Sequence, residues 1–281
     1  MSTATVSVPT TGGLSGVLRS EVRKFLSTRL WWIMALCLAG YVAFLAVTLS
    51  FALFFDPEMA GTGADLEAPS ARESANSIYT LAPAFGYVFP LIVGALSVTA
   101  EFRHQTITPT LLAEPRRGRL LGAKLISGLP VGAAIGALGS ITCWAAGATT
   151  IALMGGESLA FTLETLRVVA LSALALAIWT MVGVGFGALI PNQIGSIIVA
   201  LAFTQFVEPI ARLAMAQVDS LAPATKFLPG AAGEAIAGGS FYGTMSPVGM
   251  LPWWGGGLVL IGYALLFGLI GLFTTFRKDV G

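Results

Sequence analysis

The sequence predicts an all-α integral membrane protein with six transmembrane helices, an N-terminal amphipathic interfacial helix, a short cytoplasmic helix between spans two and three, and short external helices before span six. Three observations predict it. Hydrophobic residues make up 56% of the chain and charged residues only 10%, against about 25% charged in soluble domains. Several apolar runs reach the roughly 20 residues needed to cross a hydrocarbon layer about 30 Å thick. The 15 Lys and Arg residues are also distributed unevenly between alternate connections.

Residues 1–13 are rich in Ser, Thr, Gly and Pro and have no apolar period, which predicts a disordered tail rather than a cleaved signal. Residues 14–281 then form a single membrane domain. In "LSGVLRSEVRKFLSTRL", Leu14, Val17, Leu18, Val22, Phe25, Leu26 and Leu30 recur at steps of three and four, with Arg19, Arg23, Lys24 and Arg29 on or beside the other face. A basic amphipathic helix leading into Trp31 and Trp32 fits the headgroup plane of an anionic bilayer.

The spans fall at about 31–55, 78–100, 125–154, 166–190, 194–215 and 252–275. The third run is longer than a span needs, so it tilts or begins in the interface. Spans four and five are separated only by "PNQ" at 191–193, where Pro191 stops a helix and the polar pair suits a turn. After span five, "LPGAAGEAIAG" is too broken by Pro and Gly to cross and predicts a short re-entrant or surface helix over about 230–237, with Trp253 and Trp254 at the outer interface.

Positive residues are retained in the cytoplasm. Arg19, Arg23, Lys24, Arg29, Arg103, Arg116, Arg117, Arg119, Lys124, Arg277 and Lys278 fall on one side; Arg72, Arg167, Arg212 and Lys226 fall on the other. Eleven against four places both termini and the 101–124 connection in the cytoplasm. In that connection Thr108 can cap a short helix with Pro109 at its first position, Leu111 and Leu112 on it, and Pro115 where it stops.

Within the spans, Gly128, Gly132 and Gly136, and Gly183 and Gly187, stand four apart and allow close helix approach. In span five Gln205, Glu208 and Arg212 lie at helical steps on one face as a polar patch, Glu208 can pair with Arg212, and Pro209 should kink or end the helix. Tyr79, Phe85, Tyr87 and Phe89 could line an apolar route or be ordinary core and lipid contacts. Cys37 and Cys143 read as packing residues, and His104 has no partners for a metal site.

The pattern E-F-R-x-x-T…LL…P-x-R…L…AK, from Glu101 to Lys124 directly after a span, resembles the cytoplasmic loop of the permease subunits of type 2 ATP-binding-cassette (ABC) exporters. The resemblance implies that this loop holds a coupling helix docking on a cytoplasmic ABC ATPase subunit, with Glu101, Arg103, Thr106, Leu111, Leu112, Pro115, Arg117 and Lys124 the coupling positions that match the family's pattern and Arg116 and Arg119 their basic neighbours. It implies a connecting helix at the N-terminus, external helices closing a translocation path, a second permease copy or paralogue as partner, and location in a bacterial cell membrane. The implied cargo is amphipathic or hydrophobic: a drug, antibiotic, lipid or peptide.

None of the four lysines follows a glycine, so the chain has no phosphate-cradling P-loop. ATP and Mg are therefore expected on the partner subunit, with no cofactor, metal or nucleic acid bound by this chain. A secondary transporter would call for inverted repeats and mid-membrane ionisable groups. An intramembrane enzyme would call for a catalytic constellation, and "GLSG" at 13–16 lies outside any span with no histidine to activate Ser15.

Overall fold

The computed structural model describes residues 14–54, 70–239 and 249–276. The proposed tail at 1–13 lies outside them. Among the described residues every regular element is helical. Five helices are long and apolar enough to cross a membrane: α2 (Leu30–Phe54), α7 (Arg117–Leu153), α8 (Leu163–Leu189), the interrupted helix Gln193–Ala216, and α12 (Trp253–Thr274).

In α2, Ala35, Leu38, Val42, Ala46 and Ser50 are buried at steps of three and four, while Leu36, Phe44 and Phe51 on the opposite face are exposed. An apolar helix with an exposed apolar face suits a lipid surround. The first, fourth, fifth and last expected spans agree with the observed helices to within about three residues.

The expected second span at about 78–100 is not one helix. It is divided into α3 (Ala71–Tyr79), α4 (Leu81–Phe85) and α5 (Val88–Arg103). The Thr80 hydroxyl bonds the Asn76 carbonyl at 2.9 Å where α3 ends, and a turn at Gly86 and Tyr87 separates α4 from α5. Pro83 and Pro90 withhold amide donors beside these breaks. α5 is 16 residues long, about 24 Å, and is buried on nearly all sides at the centre of the molecule.

The expected third span, at 125–154, begins earlier. α7 runs for 37 residues from Arg117, so the stretch 117–124 is its first two turns rather than loop. At about 55 Å, α7 exceeds the thickness of a hydrocarbon layer.

Glycine sets how closely the centre packs. A Cβ at Gly94 of α5 would overlap the Thr180 carbonyl of α8, and one at Gly183 or Gly187 would overlap the Leu91 or Ala95 carbonyl of α5. Gly132 and Gly136 of α7 likewise press on Thr180 and Ala173 of α8, while Gly128 has ordinary contact distance there. The small-residue spacing therefore serves contacts within one chain.

Between the last two long helices lie a 3-10 turn at Ala222–Phe227 and α11 (Pro229–Ala237). α11 is buried nearly all round and packs against α4, α8 and α12, as a re-entrant helix would.

Candidate functional site

The connection after α5 turns back through Gln105, whose φ of 55° lies in the left-handed region. The Thr106 amide donates to the Glu101 carbonyl at 2.9 Å, closing the turn. α6 then spans Ile107–Ala113 with Thr106 at its N-cap, so it begins two residues before the expected Thr108 cap. Pro109 is therefore the third helical residue rather than the first, and within the first turn its missing amide costs nothing. Glu114 leaves the helix in extended conformation, and its carboxylate accepts the Arg116 amide and Arg119, both at 3.2 Å.

The two leucines expected to act together on α6 differ. Ile107 is buried and Leu111 packs partly against the core, but Leu112 is 79% exposed. Thr108 and Pro109 are exposed with it. The helix is held by one face and presents the other.

Behind α6 lies a closed ring of four charges. Lys24 Nζ contacts Glu21 at 2.7 Å and Glu101 Oε1 at 2.8 Å; Lys124 Nζ contacts Glu21 at 2.7 Å and the same Glu101 oxygen at 2.8 Å. The ring joins α1 (Leu14–Ser27), α5 and α7. Lys124 is fully buried and Glu21 nearly so. Burial alone would raise the Glu21 carboxyl and lower the Lys24 ammonium, but their ion pairs outweigh it, holding Glu21 below and Lys24 above the ordinary value.

Lys124, expected among the coupling positions, therefore faces inward, because the early start of α7 turns it to the core. Glu21 escaped the sequence reading. The signal was there, since it is the sole acid in α1 and interrupts the apolar stripe between Leu18 and Phe25.

The basic neighbours divide. Arg117 donates to the Phe276 carbonyl and Arg103 to Gln193 at 3.0 Å, tying the α7 start to the end of α12 and the α5 end to the start of the interrupted helix at Gln193. Arg19, Arg23, Arg29 and Arg116 are exposed. Pro115 is exposed between α6 and α7.

In the fifth span, α9 (Gln193–Ala202) passes into a π-turn at Phe203–Val207 and on into α10 (Glu208–Ala216). Pro209, which the sequence marks as a kink or stop, leaves the carbonyl four residues earlier without a donor; the π-turn absorbs this and the helix continues. Glu208 and Arg212 pair at 3.1 Å. Gln205 instead bonds Thr204 at 3.3 Å, since the wider π-turn rotates it out of α-helical register.

Arg212 has a second acid, Glu234 of α11, at 2.5 Å, and Glu208 also accepts from the Gly230 amide and lies 3.1 Å from the Tyr87 hydroxyl. Tyr87 stacks on Trp179 of α8 with ring centroids 4.4 Å apart. Glu234 was also missed, although it is the lone charge between Lys226 and Arg277. Gly230 leaves no room for a side chain, since a Cβ there would meet both Arg212 and Glu208.

A lateral cleft of about 590 Å³ opens between α1, the start of α2 and α5, with the charge ring at one end. Among the described residues no group of three or more His, Cys, Asp or Glu is placed to hold a metal ion. Compared with known proteins, the chain matches no family model and no curated protein.

Proposed function

We propose that this chain is the membrane-spanning permease subunit of an ABC exporter of type 2, working with a separate ATPase. The observation that carries the reading is α6: a short helix outside the long spans, fixed through Ile107 and Leu111, that offers Leu112, Thr108 and Pro109 outward. The Arg- and Lys-rich end, which holds α6, is the cytoplasmic end by the charge rule. Counting the α3–α5 stack as a crossing brings the five long apolar helices to six and puts both termini on that side.

The chemistry follows from how α6 is mounted. A force on Leu112 passes into α5 through the Glu101–Thr106 turn and, by the charge ring, into α1 and α7. ATP binding and hydrolysis on the partner thus reach three helices through one contact. The cargo is amphipathic, and a second permease copy or paralogue completes the path.

The test uses the full chain co-expressed with a candidate ATPase. Leu112→Asp should abolish co-purification of the ATPase and leave the melting temperature unchanged, because Leu112 contributes nothing to the core. Leu111→Ala should lower the melting temperature and weaken association less. Full retention of the ATPase by a well-folded Leu112→Asp protein would overturn the reading.

A further inference from the structure

We infer that Glu208 is a proton-binding site: its Oε2 carries a hydrogen and donates it to the Tyr87 hydroxyl oxygen, so the residue stands in the bundle as a neutral carboxylic acid. The donors around Tyr87 require it. A phenolic hydroxyl has one hydrogen to give and lone pairs with which to accept. Tyr87 is buried and has two oxygens in reach, the Thr204 carbonyl and Glu208 Oε2, each at 3.1 Å. The carbonyl can only accept.

The helix itself leaves that carbonyl unmet. The Glu208 amide goes to the Phe203 carbonyl, and Pro209, next in the π register, has no amide hydrogen to offer Thr204. A buried carbonyl without a donor is costly, so Tyr87 gives its one hydrogen to Thr204. The hydrogen between Tyr87 and Glu208 Oε2 then belongs to Glu208.

The other oxygen of Glu208 stands differently. Oε1 accepts from the Gly230 amide at 2.5 Å and from Arg212 Nη2 and Nε at 3.1 and 3.3 Å. All three neighbours are donors, so Oε1 carries no hydrogen. The charges agree with this division: Arg212 is the one ion-pair partner of Glu208 among the described residues, it is shared with Glu234, and a proton on Oε2 leaves it to that acid.

The bound proton joins two backbone irregularities. Tyr87 belongs to the turn between α4 and α5, and its hydroxyl is seated on the π-turn of the fifth span. With the proton gone, Tyr87 would have one hydrogen for two acceptors, and the Thr204 carbonyl would have to compete for it. The titratable and charged groups around Glu208 are Tyr87, Arg212 on its own helix, Glu234 of α11 and, on α12, Tyr263, whose hydroxyl donates to the Phe227 carbonyl at 3.2 Å. Holding this proton needs no ATPase, so the assignment is independent of the proposed function.

The experiment uses the purified full chain in lipid nanodiscs and infrared difference spectra at neutral pH. Wild type minus Glu208→Gln should show the carbonyl stretch of a protonated carboxylic acid. Tyr87→Phe should move that stretch to higher frequency, because the acid loses its acceptor; this variant reads the same acid if Glu208→Gln does not fold. Melting separates the two acids. Glu208→Gln exchanges a neutral acid for a neutral amide with an acceptor and a donor in the same places and should keep the melting temperature, whereas Glu234→Gln removes the charge that faces Arg212 and should lower it. Loss of carboxylate stretches in place of the acid band, an acid band unmoved by Tyr87→Phe, or a Glu208→Gln protein that melts at least as early as Glu234→Gln would overturn the assignment.

Discussion

The two buried charge clusters use the same chemistry at opposite ends of the spans, and they are balanced differently. The ring at the basic end has two acids and two bases, and Lys24 keeps its side chain 44% exposed. The Arg212 cluster, at the other end, sets Glu208 and Glu234 against Arg212, all nearly buried. In the ring each acid touches both bases, so losing one base leaves a substitute with access to water. In the Arg212 cluster both acids share one base, and Glu208 is also met by the Gly230 amide and the Tyr87 hydroxyl. Removing a partner from a buried pair costs more than the pair contributes, because a charge is stranded. The two clusters should therefore differ in how they fail.

The largest effect is expected at Arg212. Arg212→Met removes the base that two buried acids share and should cost about 3–5 kcal/mol, seen as loss of monodisperse protein in detergent. Exchanging the charges, Glu208→Arg with Arg212→Glu, should not restore it: the new arginine would face the Gly230 amide donor and the new glutamate would face Glu234. Recovery by the exchange would mean that Glu234 and Gly230 are not true partners.

Lys124→Met should cost less, about 1.5–3 kcal/mol, because Lys24 can still serve both acids. Adding Glu21→Gln leaves a single Lys24–Glu101 pair and should recover part of the loss in thermal melts. Equal loss for Lys124→Met and Arg212→Met would remove the distinction between the clusters.

The ring also predicts a pH window. Glu21 is held below its ordinary 4.5, so its contribution is present above that value and is lost as pH falls through the lowered one. Lys24 is raised above 10.5, so its contribution is complete below that value and is lost as pH rises through the raised one. A fluorophore on Ser20→Cys, in a background lacking Cys37 and Cys143, should report a docked α1 without change between these limits. Undocking near neutral pH would sink the ion-pair account.

The smallest effect calibrates the rest. Arg72 and Glu164 form an ion pair with both side chains about two-thirds exposed. Arg72→Ala should change stability by less than about 1 kcal/mol. A larger change would show that burial is not what separates this pair from the clusters.

The long helices were legible in the sequence because a run of apolar residues needs no partner to be recognised. Burial of single charges was harder to read. Lys124 stands 103 positions from Glu21 and 23 from Glu101, and nothing local reveals that three helix ends converge. Glu208 and Arg212 could be paired on paper because they share a helix, whereas Glu234 enters from α11. The breaks at Thr80 and Gly86 were hidden inside a continuous apolar run, where backbone donors rather than hydropathy decide.

The glycine contact between α5 and α8 has a mechanical consequence. Where backbones meet at Gly94, Gly183 and Gly187 there is no layer of side chains to shear, so the two helices form one stiff beam. Compliance is left to the joints at Thr80 and Gly86, on either side of the five-residue α4.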